Sequence, residues 1–153
     1  MTRAKCIAVS LAILSIVGGV AGATSVGFAV GLDPTGVLLL NALTELPVSP
    51  DVDVRVEIGM ATGDMAGLML ITGSVLYHQV FPPVDPFVGL GVGVALTPPP
   101  FTTGLVIEGA AGLRVLPVES VVLFAQVRYL VRWLSGGITS GPIYEAGLEV
   151  RFS

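Results

Sequence analysis

Thiol and metal chemistry have almost nothing to work with in this sequence: 153 residues contain one cysteine, Cys6, and one histidine, His78. That excludes a disulfide framework and leaves no recognisable zinc-ligand set. Charge is scarce too, at 12% of residues against about 25% in ordinary soluble domains. Lysine is absent beyond Lys5, so the basic residues after the N-terminal segment are five arginines, outnumbered by eleven acids. Nucleic acid is an improbable partner for such a chain. No phosphate-binding loop, GxGxxG, GxSxG or HExxH occurs. No cofactor is implied. Long apolar runs are missing as well after the first two dozen residues, although 53% of residues are hydrophobic and the mean hydropathy is +0.90. The longest candidate, MAGLMLITGSVLY (65–77), is short and bounded by turn residues. High hydrophobicity without spanning helices points to a transmembrane β-barrel, because only helices and closed barrels satisfy the backbone in lipid.

What is present begins with MTRAKCIAVSLAILSIVGGVAGATS. Arg3 and Lys5 precede an apolar stretch that ends in Ala21-Gly22-Ala23. This reads as a secretory signal peptide over 1–23, cleaved before Thr24, with an uncleaved anchor as the rival. Residues 24–153 then form one domain, in which apolar residues alternate with period two between turn-forming clusters. Eight strands are predicted, near 25–33, 36–46, 51–61, 66–80, 86–96, 103–116, 119–133 and 142–152. The breaks between them, such as DPTG (33–36), FPPVDP (81–86) and LSGGITSGP (134–142), carry turn chemistry. Eight is an even number, as single-chain outer-membrane barrels require.

Alternation separates two faces. One carries Val, Leu and Ile on nearly every strand. The other holds all five arginines, Arg55, Arg114, Arg128, Arg132 and Arg151, together with Asp53, Glu57, Glu108, Glu145 and Glu149, and is threaded with Gly and Ala. The interior of an eight-stranded barrel is just wide enough for side chains to fill. Long charged chains among glycines suit that space, so the charged face is expected inside as a formally neutral network. In PFVGLGVGVAL (86–96), Gly89, Gly91 and Gly93 are expected to face inward and leave room for arginines of other strands. An arginine turned to mid-bilayer lipid would cost roughly 2–4 kcal/mol. Aromatic girdles follow: Tyr129, Trp133 and Tyr144 toward the outer rim, Tyr77 and Phe152 toward the inner one.

PFVGLGVGVAL and the hairpin GAAGLRVLPVESVVLFAQVRYLVRW (109–133) resemble the small outer-membrane β-barrel proteins typified by the OmpA transmembrane domain. The resemblance implies an all-β, eight-stranded antiparallel up-and-down barrel, placed in the outer membrane of a diderm bacterium by the outer-membrane assembly machinery. It also implies the lipid bilayer as the principal partner. Two features depart from the pattern: Ser153 follows Phe152 where relatives end on an aromatic residue, and every outer connection is short.

The functional expectation is a structural barrel with a charge-paired, largely plugged lumen and no catalysis; the sequence leaves any ligand open. A low-conductance pore for small solutes is the alternative. A lipid-acyl-modifying enzyme would have to use Ser74 and His78, which lie about 13 Å apart along a strand, too far for a direct base–nucleophile bond. A soluble barrel binding an apolar ligand would require the faces to be reversed.

Overall fold

The computed structural model describes residues 25–62, 67–97, 102–118 and 120–152. The N-terminal segment expected to be cleaved lies outside them. Eight strands follow in order: β1 (Ser25–Leu32), β2 (Leu38–Ser49), β3 (Val52–Ala61), β4 (Met69–His78), β5 (Val84–Leu96), β6 (Thr103–Val118), β7 (Val121–Leu134) and β8 (Gly137–Arg151). Each pairs antiparallel with its sequence neighbours, and β1 pairs with β8 to close the barrel. Both ends of the barrel lie at one rim, here the terminal rim; the other is the distal rim.

Closure removes the edges that an open sheet would leave without hydrogen-bond partners. The closing seam is short. It runs from Ser25 opposite Arg151 to Leu32 opposite Tyr144, so Gly137–Ile143 of β8 continue past the end of β1 and pair only with β7.

The strands follow the predicted positions except at three breaks; at the first, β2 runs on to Ser49 and pairs through Pro47 before β3 begins. LSGGITSGP is mostly strand: Leu134 pairs with Gly137, and Ser135-Gly136 alone make the hairpin turn. Gly137 adopts φ +127°, which a side chain would oppose, and the β-branched Ile138 and Thr139 then carry the ladder onward. Likewise Val84 and Asp85 already belong to β5, because Pro86 interrupts one ladder position without ending the strand. DPTG does behave as a turn. Asp33 Oδ1 accepts hydrogen bonds from Thr35 N–H (2.9 Å), the Thr35 hydroxyl (2.7 Å) and Val37 N–H (2.9 Å), while Gly36 supplies the φ of +88° the reversal needs.

The face assignment sets apolar residues outward. Phe28, Val30, Val75, Val88, Leu90, Val92, Leu105, Leu113 and Leu123 are all exposed, Leu90 most at 74%. The charged set is inward, with Arg55, Arg114 and Arg128 no more than 2% exposed. This arrangement removes the soluble-barrel reading, which needed the reverse. All five girdle aromatics point outward: Tyr129, Trp133 and Tyr144 toward the distal rim, Tyr77 and Phe152 toward the terminal one.

The interior departs from the expected charged lining in one respect. Its distal part is apolar, filled by Val37, Leu39, Ala61, Leu68, Leu70, Ala95, Val106, Leu130 and Ile143. In those segments both faces of the strand are hydrophobic, as in Val37-Leu38-Leu39-Leu40, so period two carries no polarity signal there.

Candidate functional site: the lumen charge lattice

Three guanidiniums organise the interior. Nearest the terminal rim, Arg114 on β6 donates from Nη1 to Asp53 Oδ2 (3.0 Å) and from Nη2 to Glu45 Oε1 (2.8 Å), and its Nη1 lies 3.5 Å from Asp85 Oδ2. His78 sits between the same two aspartates, with Nδ1 3.1 Å from Asp85 Oδ1 and Nε2 3.4 Å from Asp53 Oδ2. Arg55 on β3 shares that Glu45 oxygen, donating to Oε1 from Nε at 2.6 Å. It also reaches Gln126 Oε1 (2.9 Å), Glu149 Oε1 (3.2 Å) and Glu57 Oε1 (3.3 Å). Arg128 on β7 then binds the second oxygen of Glu57, together with Glu108 and Glu145 Oε1, the last at 3.0 Å. Ser25, Asn41, Thr72 and Gln126 complete the lattice through Glu149, Glu145, Arg128 and Glu145 respectively. Every strand contributes at least one side chain.

Shared carboxylates make this one chain of contacts. Glu45 links Arg114 to Arg55, and Glu57 links Arg55 to Arg128. Charge-assisted hydrogen bonds of this kind are about twice as strong as neutral ones. Their net contribution to stability is smaller, because desolvating each ion costs several kcal/mol. Once the lattice is formed, however, breaking one contact leaves its partner buried and uncompensated. The lattice is therefore stiff.

Two buried phenylalanines support the guanidiniums from the side. The Arg55 carbon Cζ lies 5.3 Å from the Phe87 ring centroid and 5.1 Å from that of Phe124, and Arg114 lies 4.9 Å from Phe87. Each ring rests on a glycine of the neighbouring strand. A Cβ on Gly112 would fall 2.6 Å from the tip of Phe87, and one on Gly147 would fall 2.5 Å from the tip of Phe124. The inward glycines thus make room for side chains of the adjacent strands, among them Leu76 at Gly89, Glu108 at Gly91 and Thr72 at Gly93. They do not make room for arginines of other strands: a Cβ on Gly91 would meet Glu108 Oε1 at 2.7 Å, and one on Gly27 would meet Glu149 Cγ at 2.6 Å.

Of the expected network, Asp53, Arg55, Glu57, Glu108, Arg114, Arg128, Glu145 and Glu149 come together. Arg132 and Arg151 do not. They occupy the same face but stand at the C-terminal ends of their antiparallel strands, hence at opposite rims, half-buried, and neither makes an ion pair among the described residues. Glu45 and Asp85, expected at strand ends or turns, are instead buried members, because β2 runs on through Pro47 and β5 starts before Pro86. The balance is consequently not neutral. Seven carboxylates face three guanidiniums and one imidazole. Phe87 and Phe124 were legible only as inward positions, since nothing local in the sequence says which arginine a ring will face.

Ser74 and His78 share the inward face of β4. Among the described residues His78 is engaged with the two aspartates and makes no hydrogen bond to Ser74. No group of His, Cys, Asp and Glu suited to hold a metal ion occurs among the described residues.

Neither a family model nor a curated protein sequence matches the chain. Solved structures do. The N-terminal β-barrel domain of Pseudomonas aeruginosa OprF superposes with TM-score 0.71 at 15% identity, covering 86% of this chain and 98% of that one. Neisserial surface protein A gives TM-score 0.66 at 18% identity over 84% and 94% of the two chains. The outer-membrane enzyme PagL gives 0.61 at 11% identity over 84% and 99%. At these identities the likeness speaks for architecture alone, and one architecture carries both an enzyme and other barrels. The chain has the closed, eight-stranded antiparallel fold of the small, OmpA-like outer-membrane β-barrels.

Proposed function

We propose that this chain is a small structural barrel of the bacterial outer membrane, closed to solutes and without catalytic activity. In this reading it is exported by a cleaved N-terminal signal and inserted by the outer-membrane assembly machinery, with the terminal rim on the periplasmic side. The outward apolar band and its aromatic girdles support a bilayer as its surroundings. The lumen lattice carries the reading. Three guanidiniums and seven carboxylates span the lumen cross-section and bury one another almost completely, and the Val106–Leu130–Ile143 layer lies above them on the distal side. A water-filled passage would instead show charged rings lining open space. The short distal turns offer little area for a receptor or adhesin role, and the separation of Ser74 from His78 argues against acyl-transfer chemistry.

A pore is the second reading, favoured by one observation: the acidic surplus. If the lattice rearranged, the carboxylates without a private arginine would line a cation-selective path. Conductance in a planar bilayer separates the two. The structural reading expects no unitary steps at neutral pH in molar potassium chloride. Stable, cation-selective openings that scale with protein added would overturn it.

A further inference from the structure

The most distinctive unassigned feature lies at the distal rim, where β1 stops and β8 continues. Between the Asp33–Thr35 turn and Ser140–Ile143 the wall has a notch, and behind it is a cavity of about 280 Å³. Its floor is the apolar layer formed by Val37, Leu39, Ala61, Leu68, Leu130 and Ile143. Arg132 lines the same cavity. Among the described residues its guanidinium makes no ion pair and its buried Nε has no acceptor. The other charge at the lip, Asp33, is committed to its own turn through Oδ1. Gly141 faces the cavity opposite Leu130, and a Cβ there would meet nothing within 4 Å.

We propose that this notch is a binding site for a small amphipathic anion, one carboxylate head on a short apolar body. An unmet guanidinium donor beside a closed apolar floor matches that chemistry at both ends. The head would satisfy Arg132, and the body would cover Leu130, Ile143 and Val37, removing apolar surface from water. The volume lies just below the range for ligand pockets, about 300–1,000 Å³, which limits the body to a short chain or a single ring. The site is separate from the lumen lattice, since the apolar layer lies between them. It does not depend on whether the lattice conducts.

The test uses the full mature barrel in phosphatidylcholine nanodiscs, titrated calorimetrically with sodium octanoate against empty discs. Saturable binding is expected, at least tenfold tighter than for octanol, which lacks the charge, or acetate, which lacks the body. Arg132→Gln should weaken octanoate at least tenfold. Gly141→Phe, which fills open space, should abolish binding while leaving heat-dependent gel migration unchanged. Asp33→Asn, which keeps the turn acceptor and removes a repelling charge, should tighten binding two- to threefold. Equal uptake of octanoate and octanol by the parent protein would mean partition into lipid and would overturn the proposal without any variant. Weaker octanoate binding in Asp33→Asn would mean that the Asp33 charge does not oppose the ligand's head, which also overturns it. Loss of octanoate binding when phosphatidylglycerol replaces part of the disc lipid would assign the notch to lipid headgroups instead.

Discussion

Replacing Arg128 with methionine tests the lattice at its most heavily shared point. The side chain is 2% exposed, and its guanidinium is the common partner of Glu57, Glu108 and Glu145. Methionine fills similar volume but leaves those three carboxylates buried beside one another, and among the described residues only Glu57 and Glu145 have other donors, from Arg55, Asn41 and Gln126. Removing one partner of a single buried pair costs about 3–5 kcal/mol. With three acceptors stripped at once, a loss near the upper end, about 5 kcal/mol, is expected. That is at least a third of the roughly 5–15 kcal/mol that separates folded from unfolded proteins. The assay is urea unfolding of the micelle-inserted protein, followed by the fluorescence of Trp133, the only tryptophan, which faces outward. The midpoint should fall with little change in slope. A companion variant separates charge from packing: adding Glu57→Gln, Glu108→Gln and Glu145→Gln to Arg128→Met removes the stranded charges and should restore at least half of the loss. A single variant within about 1 kcal/mol of the parent, or a companion no more stable than the single variant, would refute the reasoning.

Three further perturbations probe other levels of the structure. Leu90→Arg, at a side chain 74% exposed on the outer face, should cost roughly 2–4 kcal/mol and depress insertion into vesicles; insertion equal to the parent's would place that face in water. Gly147→Ala puts a methyl group 2.5 Å from the Phe124 ring and against the Phe28 carbonyl, so it should destabilise by about 1–3 kcal/mol through overpacking, with the Arg55 stack displaced; an unchanged urea midpoint would argue against the ring position. At the distal rim, slight burial opposes ionisation of Asp33. The hydrogen bonds from Thr35 and Val37, with the charge of Arg132, outweigh it and hold the carboxyl below the usual carboxylate range. A depressed folded pKa contributes stability above the unfolded value, about 3.9, that is lost as pH falls through the folded one. Amide exchange of Thr35 and Val37 should therefore stay protected at pH 5 and rise below about pH 4, whereas Asp33→Ala should show unprotected amides at both.

Much of this architecture is written in alternation. Val121 to Trp133 opposed to Phe124, Gln126, Arg128 and Arg132 already separates lipid face from lumen, because period two and the high cost of charge in lipid leave one consistent solution. Depth is not written there. Arg128 and Arg132 are equivalent by face and four residues apart, yet one is the hub of the lattice and the other stands at the rim. The difference is set by the stagger between strands, which each residue inherits from pairings spread around the whole barrel. Prolines misled for a related reason. Pro47 and Pro86 suggested ends, but a strand tolerates one missing donor where its neighbours hold the register, and that placed Glu45 and Asp85 inside. The apolar distal layer was concealed by its own uniformity: Leu68-Met69-Leu70 and Leu105-Val106-Ile107 present hydrophobic residues to both sides.

The closing seam bears on how such a chain can arrive in a membrane. Glu149 of β8 is bound by Ser25 of β1 and Arg55 of β3, so the lattice crosses the seam that joins first strand to last. A sheet inserted while still open there would turn three guanidiniums and seven carboxylates toward hydrocarbon, with unpaired strand edges beside them. Each of those costs vanishes together, and only when β1 meets β8. Insertion and closure are thus a single event for this sequence, and a half-inserted sheet is not a resting place on its route.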